Sequence, residues 1–264
     1  MNARMLPPGA TLILIGLGLF LGAPPRLHAY INAGFRSQRD YDTYLRYKKT
    51  VQTTLAPYSA AIERNFKDAV AYYQRARAWE TLPAYNGPWP DNQRESRLDR
   101  SYQALQDYNQ AIAWDASFGR AYLRRADLLW EARQYPRAIQ DLRKTIRLEP
   151  KWALAHAYLA SCYLACPEKE YRDQAKALKH AIQADRLSGR KDAACLQVLA
   201  AVRAHAGDFQ AAVKWQSKAV ALLGESVLVT PARRRLVSYK EQRYNPSPFT
   251  LRELEEAAPK KTRR

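Results

Sequence analysis

The feature that most constrains the fold is an internal repeat of small residues. Four of them recur at intervals of 34, 36 and 38 residues: Ala111, Thr145, Ala181 and Ala219. Seven residues before each stands a second position, which is alanine in three of the four cases: Ala104, Ala138, Gln174 and Ala212. Periods of this length are typical of repeat proteins, in which each unit buries its apolar face only by stacking against its neighbours.

Large and small residues alternate at fixed offsets inside each unit. The clearest unit, residues 119–150, has Tyr122 and Ala126 in its first half and Ala138 and Pro150 in its second half. This pattern favours two antiparallel helices, because small residues let helices approach closely while large residues fill the gaps between layers. The proline follows the second helix, where it cannot continue that helix.

Residues 57–224 resemble the tetratricopeptide repeat family in the offsets of these large residues, small residues and closing proline. The resemblance implies an all-α fold, a right-handed α-solenoid of stacked antiparallel helix pairs. A half repeat followed by four repeats exceeds the roughly three units that stability needs. The family implies a scaffold or protein-binding role and supplies no catalytic residues.

The second half of the chain has a narrower resemblance. Cys166-Pro167 precedes Tyr171-Arg172-Asp173, and residues 207–216 read Gly-Asp-Phe-Gln-Ala-Ala-Val-Lys-Trp-Gln. This is similar to an exported type of bacterial tetratricopeptide protein. Arg203 and His205 stand where the familiar sequence is more acidic and aromatic, so we expect a different surface chemistry.

The N-terminus has the pattern of a signal peptide. Residues 10–23 are uncharged and apolar, a stretch too short to span a bilayer but long enough for a signal-peptide core. Leu27-His28-Ala29 offers a cleavage site. We therefore expect residues 1–29 to be a signal peptide and the protein to be exported, either periplasmic or secreted. The alternative is an uncleaved N-terminal membrane anchor.

The remaining segments follow from composition and spacing. We expect a helical lead-in over 30–56 and a repeat domain over 57–225. An insertion at 83–98, rich in proline, interrupts the domain and predicts a loop. A capping helix is expected over 226–246, because a terminal repeat needs a polar outer face. Residues 247–264 are expected to be a basic tail, largely disordered, with a brief helix over 251–258.

Cysteine and histidine offer little catalytic or metal-binding chemistry. Cys162 and Cys166 lie one helical turn apart with His156 upstream, but a metal site needs three or four converging ligands. Small buried cysteines are common in cores. A disulfide that includes Cys195 is an alternative if the compartment is oxidising. The sequence contains no Ser-His-Asp order, glycine-rich phosphate loop or paired-carboxylate motif in a suitable context. We predict no metal, no cofactor and no enzymatic activity.

The candidate binding surface is the concave groove, which the first helix of each pair lines in tetratricopeptide proteins. The register of the small alanines places six residues there: Tyr73, Arg77, Arg120, Leu123, Arg124 and Asp127. Three arginines beside a tyrosine suit a carboxylate or an acidic peptide, because a guanidinium group can bind a carboxylate through two parallel hydrogen bonds. The alternative is a solvated basic face.

Two functions compete at this point. The first is a non-catalytic scaffold in the bacterial cell envelope that binds an extended or acidic partner segment in the groove. The alternative is a general polyanion binder, for an acidic envelope polymer or nucleic acid, because 43 basic against 25 acidic residues give a net charge of +18. Export argues against nucleic acid as a partner. The identity of the protein partner and the oligomeric state stay open.

Overall fold

A computed structural model describes residues 35, 37–83, 97–244 and 249–259. Regular structure in this part of the chain is entirely helical. The predicted signal peptide, most of the predicted insertion and the last five residues lie outside the described residues. Among the helices described, none combines the length and the apolar character needed to cross a membrane.

The chain divides into two compact units, residues 1–104 and 105–264. The first unit contains α1 (Gln38–Arg64) and α2 (Ala69–Thr81), which pack together. Helix α3 (Arg97–Trp114) begins in the first unit and ends in the second. The expected boundary between the lead-in and the half repeat falls inside α1, because that helix continues through Pro57.

The second unit is a stack of helix pairs. Six helices form three pairs, each helix packing on the next: α4 (Gly119–Glu131), α5 (Tyr135–Leu148), α6 (Ala153–Ala165), α7 (Gln174–Leu187), α8 (Ala193–His205) and α9 (Phe209–Leu223). Helix α10 (Val229–Lys240) packs on α9, within the range expected for the capping helix. The short helix α11 (Leu251–Ala257) packs against α6 and α8.

The repeated small residues form the contacts between these helices. Ala111, Ala126, Ala138, Ala181 and Ala219 are all fully buried. The exception in the pattern, Thr145, is also fully buried, and its hydroxyl donates to backbone carbonyl oxygens at 3.3 and 3.0 Å. A threonine is tolerated at this position because its polar group has partners. The all-α fold of stacked antiparallel helix pairs is therefore confirmed.

The motifs that carried the narrower resemblance form turns between helices. Gly207 has φ +81°, a conformation that other residues rarely adopt, and Asp208 accepts a hydrogen bond from the Ala211 amide at 3.0 Å. After the Cys166-Pro167 turn, Asp173 caps α7 in the same way through the Lys176 amide, at 2.8 Å. Both motifs end one helix and start the next.

Part of the expected basic tail is folded, at the place where a brief helix is expected, residues 251–258. Residues 251–257 form α11, and Leu251 and Leu254 are at most 1% exposed. The apolar residues of this helix are spaced for one helix face. This segment becomes ordered because the rest of the second unit offers it an apolar surface.

Candidate functional site

Two helices of the second unit are apolar on every side. In α6, every residue from Leu154 to Ala165 is buried, and α8 is buried at all positions except Arg203 and His205. A helix that is apolar all round must be covered all round. Helices α7 and α9 cover one side, and α11 covers another. The surface of α4, α6 and α8 toward α11 is called the inner face below.

The segment on the inner face, residues 249–258, is called the docked segment and presents an apolar stripe. Its buried residues are Phe249, Leu251, Leu254, Ala257 and Ala258. The helix starts with a capping box: the Thr250 hydroxyl accepts from the Glu253 amide at 3.1 Å, and the Glu253 carboxylate accepts from the Thr250 amide at 3.0 Å. This reciprocal capping stabilises a helix of only seven residues.

The backbone of Phe249 is held by a buried side chain. The Phe249 amide donates to the Ser161 hydroxyl oxygen at 2.8 Å, and that hydroxyl donates to the Phe249 carbonyl oxygen at 3.4 Å. The Arg235 guanidinium lies 4.3 Å from the centre of the Phe249 ring and donates to the Gln197 side-chain oxygen at 3.2 Å. The start of the segment is therefore recognised through both its backbone and its ring.

Two acidic residues of the segment face arginines. Glu255 forms an ion pair with Arg124, one of the predicted groove residues, and the side chain of Arg124 is only 12% exposed. Glu253 lies 3.8 Å from the Arg235 guanidinium. Partial burial reduces screening of the first pair by solvent, so it contributes more to docking than the second pair.

Two other predicted groove residues of α4, Leu123 and Asp127, have structural roles. Leu123 is 1% exposed and belongs to the core. Asp127 accepts a hydrogen bond from the Tyr158 hydroxyl at 2.7 Å. Burial raises the pKa of the Asp127 carboxyl to about 6, against the lowering effects of the Tyr158 hydrogen bond and the nearby Arg124 charge. The inner face thus holds this carboxylate inside the protein instead of presenting it to a partner.

Arg120 is exposed beside the end of the docked segment. It borders a cleft of about 550 Å³, with Lys151, Trp152 and Pro259 among the lining residues. The remaining two predicted residues lie in the first unit on α2, where Tyr73 is half-buried and the Arg77 guanidinium lies 3.7 Å from the carboxylate of Glu80. The six predicted residues are therefore divided between the two units.

Sequence reasoning did not assign Ser161, Gln197 or Arg235 to this site, and it did not predict that the helix expected over 251–258 docks on the repeats. Two signals were available. The Thr250-x-x-Glu253 spacing is a capping box that marks a helix start. The lack of a polar face in α6 and α8 predicts that something covers their inner side.

Histidine and cysteine form internal contacts in the second unit. The two Nδ1 atoms of His156 and His180 lie 3.0 Å apart, and His156 Nε2 lies 3.1 Å from the Pro150 carbonyl oxygen. Burial, together with the charge of the neighbouring His156, lowers the pKa of His180 to about 4. All three cysteines are buried and free. Within the described residues, no group of His, Cys, Asp and Glu side chains is arranged to hold a metal ion.

Comparison with known proteins gives limited sequence similarity. No family model matches the chain. Sperm-associated antigen 1 of Mus musculus is 35% identical over 97 residues, which is 36% of this chain and 10% of that protein. The same protein of Rattus norvegicus is 34% identical over 97 residues, with the same shares. The chain therefore matches about a tenth of the length of these curated relatives.

Solved structures show the fold. PilF of Pseudomonas aeruginosa matches with a TM-score of 0.51 and 18% identity, over 83% of this chain and 92% of that chain. MamA of Desulfovibrio magneticus RS-1 matches with a TM-score of 0.50 and 16% identity, over 70% of this chain and 98% of that chain. Both are tetratricopeptide repeat proteins. The fold is a tetratricopeptide repeat solenoid.

Proposed function

We propose that this protein is a non-catalytic protein-interaction scaffold whose inner face binds an acidic, amphipathic helical segment of a partner. One observation carries the proposal: the inner face already holds such a segment from its own chain, with Glu255 on Arg124. The tetratricopeptide fold supports a scaffold role, because stacked repeats build extended binding surfaces. The ion pair between Arg124 and Glu255 of the same chain supports a role for Arg124 in binding a partner carboxylate.

The docked segment shows what the inner face selects. The inner face buries a phenylalanine of the segment and the leucines two and five residues after it. The carboxylates four and six residues after the phenylalanine face Arg235 and Arg124, respectively. A partner helix with this spacing would present its apolar stripe to α6 and α8 and its acids to the two arginines.

The chain's own segment competes with any partner. Burial of Phe249, Leu251 and Leu254 contributes about 1.5–3 kcal/mol for each side chain, and the ordering of the segment offsets much of that gain. A tether keeps the segment at an effective concentration that a free partner must exceed. We therefore expect weak binding to the intact chain and stronger binding once the segment is released.

A peptide of residues 247–259 tests this proposal by fluorescence anisotropy. We expect Leu251→Asp/Leu254→Asp, which releases the segment, to bind the peptide at least tenfold more tightly than the unmodified chain. Adding Arg124→Glu should remove that gain, and a Glu255→Lys peptide should restore it, because the two charges are exchanged. Circular dichroism checks that each variant keeps its helices.

Two results would contradict the scaffold proposal. The peptide could fail to bind a folded, released variant, which would make the segment a structural plug only. Alternatively, Arg124→Glu could leave binding unchanged, which would remove the carboxylate contact from recognition.

We also propose that the scaffold acts in the bacterial cell envelope. The support is the signal-peptide pattern of residues 1–29. Fractionation of cells that make the tagged full chain, followed by N-terminal sequencing, tests it. A periplasmic product that begins at Tyr30 supports cleavage and export. A membrane-bound product that retains residues 1–29 supports the anchor, and a cytoplasmic product contradicts both.

A further inference from the structure

A second cleft lies between α4 and α5. Its volume is about 350 Å³, and eight residues line it: Tyr122, Arg125, Leu129, Arg137, Gln140, Asp141, Lys144 and Arg147. All eight belong to α4 and α5, and no residue of the docked segment is among them. The cleft is therefore a candidate site separate from the inner face.

Positive charge dominates this cleft. It contains four cationic side chains and one carboxylate, Asp141. Both Asp141 oxygens are bound by the Arg125 guanidinium, at 2.7 and 2.8 Å, and the same guanidinium donates to the Asn109 side-chain oxygen at 2.9 Å. The only carboxylate of the cleft is thus neutralised by one cation, so the charge of Arg137, Lys144 and Arg147 is not balanced within the cleft.

Contacts with neighbouring side chains position three of the four cations, Arg125, Lys144 and Arg137. The Arg125 guanidinium lies 5.3 Å and the Lys144 ammonium 5.9 Å from the centre of the Tyr122 ring. Arg137 donates to the Gln134 side-chain oxygen at 2.5 Å, a contact with a neutral group that leaves its charge in full. Arg137 and Arg147 are exposed and therefore accessible to a ligand. Cations held in position lose less side-chain entropy when a ligand binds.

We propose that this cleft binds the phosphate group of a phosphate ester or of a polyphosphate chain. A phosphate group offers several strong acceptor oxygens and up to two negative charges, which matches three cations around a small cavity better than a single carboxylate does. The general polyanion binding considered from net charge thereby acquires a specific location. This site stands independently of the scaffold proposal.

The full chain tests the site by isothermal titration with two probes, inorganic phosphate and a linear polyphosphate, at 50 and 300 mM NaCl. The cleft variant is Arg137→Gln/Lys144→Gln/Arg147→Gln. The matched control is Arg233→Gln/Arg234→Gln/Lys240→Gln, which removes three exposed cations from α10. We expect the cleft variant to lose at least tenfold in affinity and the control to lose less than twofold.

The two probes distinguish the source of the phosphate group. Cleft-dependent binding of both probes indicates a site for a free phosphate ester, and cleft-dependent binding of polyphosphate alone indicates a chain. Equal losses in the two variants would overturn the proposal, because general charge attraction would then explain binding. Failure of both probes to bind the unmodified chain at 50 mM NaCl would also overturn it. Circular dichroism and retained binding by Arg137→Lys/Arg147→Lys exclude misfolding as the cause of a loss.

Discussion

Truncation of Leu254 to alanine should release the docked segment without unfolding the helix pairs. Leu254 is 1% exposed, and leucine-to-alanine changes at such positions cost about 2–5 kcal/mol. The gross gain from the three large apolar residues of the segment is only about 5–9 kcal/mol before ordering costs. The substitution therefore removes a large part of what holds the segment in place.

Hydrogen exchange measured by mass spectrometry gives the assay. A cost of 2–5 kcal/mol should raise the exchange rate of residues 251–258 by at least about 30-fold, while α4 and α9 keep their protection. The control is Arg252→Ala, since the Arg252 side chain is 86% exposed and its ion pair with Glu256 contributes about 0.5 kcal/mol or less. Equal loss of protection in all helices would refute local release, and no change near α11 would refute the burial argument.

Three further predictions concern stability. Asp127 has an ordinary pKa of 3.8 that the fold raises to about 6. The folded state therefore binds more protons than the unfolded state between these values, and the free energy of unfolding should fall as pH rises from 4 to 6. Urea unfolding of Asp127→Asn should lack this fall. His180 has an ordinary pKa of 6.5 that the fold lowers to about 4, so the free energy of unfolding should decrease as pH decreases from 6.5 to 4. His180→Gln should reduce this pH dependence. An unchanged pH dependence would exclude the histidine pair as its origin. Asp141→Ala should lower the free energy of unfolding by about 3 kcal/mol, because it leaves the Arg125 charge without its two carboxylate bonds. Thermal unfolding at neutral pH measures this loss. A loss below about 1 kcal/mol would show that solvent already screens the pair.

The docked segment changes how the predicted groove is understood. Sequence reasoning expected an extended or acidic segment from a partner, and the structure places an acidic segment of the same chain on Arg124. Under the scaffold proposal, partner binding at this face is an exchange between two segments, and the affinity of the intact chain would report the difference between them. Searches for a partner should therefore use variants in which the packing of α11 on the inner face is weakened.

The repeat was predictable because it depends on local and periodic information. Ala111, Ala181 and Ala219 recur at helical-repeat spacing, and small residues at that spacing favour close contacts between helices wherever the chain continues. The turns were predictable in kind as well, since Gly207 and Asp208 end and start helices through their own backbone chemistry.

The candidate sites depended on contacts between residues far apart in the chain. Glu255 meets Arg124, and Phe249 meets Ser161, across 131 and 88 residues; no periodic pattern encodes these pairings. The Thr250-x-x-Glu253 spacing indicates a helix start, but it does not indicate the surface on which the helix docks. Repeat spacing alone thus determined that helix pairs stack. The tertiary structure decided which apolar and charged surfaces of that stack face each other, because burial and charge pairing are properties of neighbours in space rather than in sequence.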